Sequence, residues 1–136
     1  MTTLAEMELK RDSLYKQLQK TGDFRRGIIS STYRKCGKMN CACAQEGHPG
    51  HGPQHLWSTT IKGKSYAKSL KFGPEMEKYL EEIDNHKQFL KLCEELVDVN
   101  EQICNLRPVR VIEDENELAA LKKKLQQMFM AKLKKK

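Results

Sequence analysis

Residues 55–70 read HLWSTTIKGKSYAKSL. Two β-prone runs flank Lys62-Gly63, and a two-residue turn of this kind joins antiparallel strands. With Lys62-Gly63 as the turn, Ile61 pairs with Lys64, Thr59 with Tyr66 and Trp57 with Lys68. Those six side chains share one face because alternate residues of a strand point the same way. Leu56, Ser58, Thr60, Ser65, Ala67 and Ser69 form the opposite face, which is small and polar. Aromatic rings interleaved with lysines suit a base-stacking, phosphate-contacting surface. The stronger reading is that Trp57, Ile61 and Tyr66 pack against a helix, since the other face is a poor core.

That helix follows at once. Pro74 fits a first helical turn, and Glu75 and Glu77 suit the positive end of the helix dipole. Apolar positions from Met76 to Leu106 are spread so widely that burial on more than one side is expected, making residues 74–107 a central scaffold helix. Pro108 stops it. Cys93 and Cys104 lie close to three turns apart on one face and read as core cysteines, while His86 reads as structural.

Before the hairpin comes CGKMNCACAQEGHPGHGPQH, residues 36–55, with three cysteines and three histidines. Zinc prefers four thiolate or imidazole donors in a tetrahedron. Cys36, Cys41 and Cys43 can converge if the chain turns tightly, which Gly37 and Asn40 permit. One imidazole completes a Cys3His site, and spacing alone leans to His48, with His51 as the competitor. The four donors would close the coordination sphere, so the zinc is structural. Only Glu46 could act as a nearby base, and no nucleophile–base pair or phosphate-cradling loop accompanies it, so no enzyme is expected.

The run Arg26-Gly27-Ile28…Tyr33-Arg34-Lys35-Cys36-Gly37-Lys38…Cys41-Ala42-Cys43…His51-Gly52-Pro53, followed by an aromatic hairpin, resembles a largely uncharacterised prokaryotic family of small zinc-module proteins associated with transposase-type genes. The resemblance spans about residues 25–105. It implies Cys36, Cys41, Cys43 and His51 as the metal ligands, with His48 in reserve. His48-Pro49-Gly50 is an insertion relative to that pattern. The resemblance also implies nucleic-acid handling in a mobile-element or defence-type system.

The chain has 136 residues and a formal net charge of +7. Residues 1–74 hold 13 Lys and Arg against 5 Asp and Glu, and residues 75–112 hold 5 against 9. Such asymmetry suits a polyanionic partner. The expected nucleic-acid contacts, to DNA or RNA, are Arg25, Arg26, Arg34, Lys35 and Lys38, with Lys62, Lys64 and Lys68 on the hairpin. No acid falls between Asp23 and Glu46. Residues 113–136 form a basic amphipathic helix whose Leu118, Leu121, Leu125, Met128 and Phe129 share a side. Its lysine tail, ending Lys134-Lys135-Lys136, reads more readily as a solvated helix end than as a contact with a nucleic acid or membrane.

Residues 1–22 form an N-terminal helix and 23–73 the zinc-binding β-module. The fold expected is therefore α+β: an antiparallel sheet of two or three strands, clasped by zinc and carried on a long helix between amphipathic terminal helices. Those helices could pair between subunits or dock a protein partner, an alternative in which zinc only holds the fold. Five cysteines, an odd number, argue against a disulfide framework. The absence of an apolar leader or spanning run points to the cytoplasm, not the membrane.

Overall fold

In the computed structural model, residues 2–134 are described, the side chain of Lys134 excepted. Lys135 and Lys136 of the lysine tail lie outside them. The element order is α1 (Leu4–Gln19), β1 (Ile28–Arg34), a 3-10 turn (Ala42–Ala44), β2 (His51–Ile61), β3 (Lys64–Leu70), α2 (Pro74–Leu106) and α3 (Glu115–Lys134). The architecture is α+β, as the residue pattern implies.

Thr3 starts α1 with a capping box: its hydroxyl accepts from the Glu6 amide at 3.2 Å while the Glu6 carboxylate accepts from the Thr3 amide at 3.4 Å. Two otherwise orphaned amides are thereby satisfied. Lys62 at φ 51° and Gly63 at φ 80° make the hairpin turn. Successive left-handed residues match the twist of the strands they join. The register is the expected one, with Ile61 opposite Lys64, Thr59 opposite Tyr66 and Trp57 opposite Lys68.

β2 is longer than the hairpin pattern suggests, starting at His51 instead of His55. The extra residues are recruited by β1, which pairs antiparallel with β2 from Ile28↔Ser58 to Arg34↔His51, with a register shift between Thr32 and Arg34. Strand order is β1-β2-β3.

α2 serves two cores along its length. Its first turns carry Met76 and Tyr79, which bury Leu70 with Ile29 and Trp57 of the sheet. Farther along, Val99 and Ile103 close on Met7 and Leu14 of α1, flanked by Leu4, Leu92 and Leu96. Burial on two faces is why its apolar pattern is broad. The strap from α1 to β1 is tied to the middle of α2: the Asn85 side chain donates to the Asp23 carbonyl at 2.9 Å, and Phe24 stacks on Phe89 at 4.8 Å and on His86 at 5.6 Å. His86 is thus structural. Cys93 is half-buried, but Cys104 is exposed, because only Val99 and Ile103 of that last stretch face α1.

Residues 1–103 form one compact unit and residues 104–136 a second. In the second, Leu118 and Leu121 are half-buried while Leu125, Met128, Phe129 and Leu133 are exposed.

Candidate metal centre and basic surface

β1 ends at Arg34, and Cys36 follows two residues later. Cys41 and Cys43 sit on the 3-10 turn, where Ala44 donates to the Cys41 carbonyl at 3.0 Å and Gln45 to the Ala42 carbonyl at 3.2 Å. His51 is the first residue of β2. The donor atoms of Cys36, Cys41, Cys43 and His51 all lie within 4.8 Å of one another. Cys36 Sγ is 3.5 Å from Cys43 Sγ, and Cys41 Sγ is 3.2 Å from His51 Nε2. A tetrahedral thiolate site with metal–sulfur bonds of about 2.3 Å needs sulfurs about 3.8 Å apart, so the group fits a metal after opening by a few tenths of an ångström.

His48 is not part of this group. Its Nδ1 accepts from the Gly50 amide at 3.0 Å, inside its own turn. The choice of His51 has a backbone cause in the glycines on either side. A Cβ on Gly50, at φ 108°, would stand 2.8 Å from the Arg34 carbonyl carbon, and one on Gly52, at φ 133°, 2.9 Å from the Thr32 carbonyl oxygen. Only glycines let His51 come this close to the end of β1. The glycine on each side of His51 is a sequence signal for that approach which spacing arguments miss.

The site's electrostatics are those of a ligand set. The Cys36 thiol is pulled down to about 6, first by the Lys38 amide and then by His51 and Cys43. His51 is raised by its hydrogen bonds to Cys36 and then Cys41. At Cys43 the Cys36 amide, donating at 3.5 Å, favours the thiolate, but burial and the neighbouring thiols outweigh it and raise the value. Cys43 is 1% exposed, which fixes the floor of the site.

The cations expected around the metal separate into three groups. Arg34, Lys35 and Lys38 are exposed at the metal end. Arg26, Lys62 and Lys64 are exposed at the other end of the sheet, because β1 begins at Ile28, away from the metal, and the hairpin tip lies beyond Ser58, opposite Ile28. Among the described residues none of these six pairs with a carboxylate.

Arg25 and Lys68, also expected as contacts, have partners within the fold. Arg25 Nε donates to Glu82 at 2.7 Å, its guanidinium lies 3.7 Å from the Tyr79 ring centroid, and its amide donates to the Glu82 carbonyl. Lys68 donates to the Tyr79 hydroxyl at 3.3 Å and pairs with Glu75 at 3.7 Å. Both tie the β-module to α2. The partner of Arg25 is 57 residues away, so no local pattern marks it.

Trp57 packs edge-on against Tyr79 at 5.7 Å and donates to the Arg26 carbonyl at 2.9 Å. It belongs to the core, whereas Tyr66 on the same face is 48% exposed. No helix among the described residues is long and apolar enough to cross a membrane.

No curated protein and no solved structure matches the chain. A family described as "Domain of unknown function (DUF6788)" matches residues 4–78, which is α1, the clasp, the whole sheet and the start of α2. That is more than half of the chain's 136 residues, and the chain belongs to this family.

Proposed function

We propose that this member of the DUF6788 family is a nucleic-acid-binding accessory protein, not an enzyme, whose Cys3His group holds a structural zinc ion. The donor set of three thiolates and one imidazole suits zinc over harder cations, and four protein ligands leave no open position for chemistry. Zinc here would hold the chain between β1 and β2 and present Arg34, Lys35 and Lys38 on a fixed scaffold.

The observation that carries the reading is that set of exposed cations with no carboxylate partner. Ordered guanidinium and ammonium groups are suited to phosphate oxygens. We place the protein beside a mobile-element or defence-type system on its resemblance to transposase-associated proteins. Two measurements test the reading. Protein purified without chelators should carry about one equivalent of zinc; less than half would refute the metal assignment. Replacing Arg34, Lys35 and Lys38 with glutamate should abolish binding to DNA and RNA, and the wild-type affinity should fall steeply with salt. Unchanged affinity in the triple variant would refute the nucleic-acid assignment.

A second reading is a protein-interaction adaptor in which α3 docks a partner or a second copy. It is favoured by the exposed Leu125, Met128 and Phe129. A strictly monomeric chain that keeps all its partners after removal of residues 113–136 would rule it out.

A further inference from the structure

The inner face of the sheet is only partly covered by α2. Ile29, Trp57 and Leu70 are packed against Met76 and Tyr79. Toward the hairpin tip Tyr66, on the same face, stands 48% exposed. Among the described residues its ring has no aromatic, cationic or hydrogen-bonded partner.

The space beside it is a cleft of about 570 Å³, bounded by Ser58, Thr59 and Tyr66 on the sheet and by Ile83, His86 and Lys87 on α2. That size lies within the range of small-ligand sites, roughly 300–1,000 Å³. The Tyr66 ring and the buried Ile83 are among its lining residues, and no carboxylate lines the cleft. β1 stops at Ile28, opposite Ser58, so β2 continues from Thr59 to Ile61 with no strand on that side. Backbone polar groups and hydroxyls therefore border an aromatic surface. The rim is cationic: Lys87 lines the cleft, and Lys64 lies two residues from Tyr66 on the same face.

We propose that this cleft receives one unpaired nucleobase, stacked on Tyr66, with its flanking phosphates on Lys64 and Lys87. The occupant is single-stranded nucleic acid, because a base inside a duplex cannot offer its face to a side chain without leaving the stack. Charge complementarity selects a polyanion over an apolar peptide, and the ring selects a base over bare phosphate. The inference rests on the nucleic-acid reading above and narrows it to single strands at this site.

The test compares labelled oligothymidylate with a duplex of equal length by fluorescence anisotropy at fixed salt, using the zinc-loaded full chain. Tyr66→Ala should weaken single-strand binding by roughly tenfold or more, in line with the value of one base–aromatic stack. Tyr66→Phe should restore it, and duplex binding should change in neither variant. An oligonucleotide carrying 2-aminopurine adds a readout on the wild-type chain: stacking quenches its fluorescence. Equal single-strand affinity for wild type and Tyr66→Ala, or no quenching, would overturn the stacking proposal while leaving the basic surface intact. If neither strand form binds at all, the nucleic-acid reading itself fails and this one with it.

Discussion

Stripping the metal from the folded chain should open one loop and leave the rest standing. The clasp runs from Cys36 to His51, and between residues 35 and 50 the only buried positions are Cys43 and Gly50. Nothing apolar holds this segment once the metal is gone. Both hydrophobic clusters, around Leu70 with Tyr79 and around Leu14 with Val99, contain none of the four ligands. A cross-link closing a loop of about 15 residues removes about 3 kcal/mol of chain entropy from the unfolded state. For a unit of about 100 residues, each kcal/mol moves the melting midpoint by about 4–8 °C, so chelation should lower it by roughly 12–24 °C. The assay is thermal melting by far-ultraviolet circular dichroism, with hydrogen exchange read by mass spectrometry. Helical signal before the melt should be unchanged, while amides of residues 35–51 lose protection and those of α2 keep it. His51→Ala should reproduce the effect and His48→Ala should not. A stripped protein, verified free of metal, that melts within a degree or two of the loaded one would refute the clasp. Loss of helical signal at room temperature would equally refute it, by showing that the cores depend on the metal.

Three further outcomes follow from the packing. Gly27→Ala should cost about 2–6 kcal/mol in urea denaturation, since a Cβ at φ 122° overlaps the Trp57 indole and comes within 2.7 Å of the Ser58 carbonyl oxygen. Gly73→Ala, at φ 138° with nothing within 4 Å, should cost only the backbone part. Arg25→Met should lower stability by about 2–3 kcal/mol through the lost Glu82 and Tyr79 contacts, yet weaken nucleic-acid binding less than Arg34→Met does; the reverse order in a binding titration would reassign both residues. Glu82 is held below the usual carboxylate value of 4.5, first by Lys78 and then by Arg25. A depressed carboxylate contributes its stability fully above the unfolded value and loses it as pH falls through the folded one. Stability should therefore decline as pH drops below about 4.5, and Glu82→Gln should flatten that slope in acid denaturation curves.

Much of the fold is legible because its signals are local. A two-residue turn sets the register of the strands it joins, so Lys62-Gly63 is enough to place Trp57 opposite Lys68. Pro74 with two glutamates marks the start of α2. Three cysteines within eight residues announce a ligand cluster for a similar reason: short chains have few ways to bring them together. The breadth of the α2 stripe likewise implies two buried faces, though not what covers each.

Other features depend on contacts between distant residues, and the chain read in order does not contain them. β2 reaches back to His51 only because β1 is there to pair with it. His51 outcompetes His48 because Gly50 and Gly52 let its backbone lie against Thr32 and Arg34. A run of cations from Arg25 to Lys38 looks like one patch, but a strand of seven residues stands between its ends. Arg25 turns inward to Glu82, 57 residues away, and Lys68 to Tyr79. Composition and spacing, set along the chain, determined that this protein gathers a metal-binding cluster, a basic module and a scaffold helix. Which imidazole joins the cluster, which cations stay free and which aromatic ring is left exposed were decided only in three dimensions, where burial and partner geometry act across the chain.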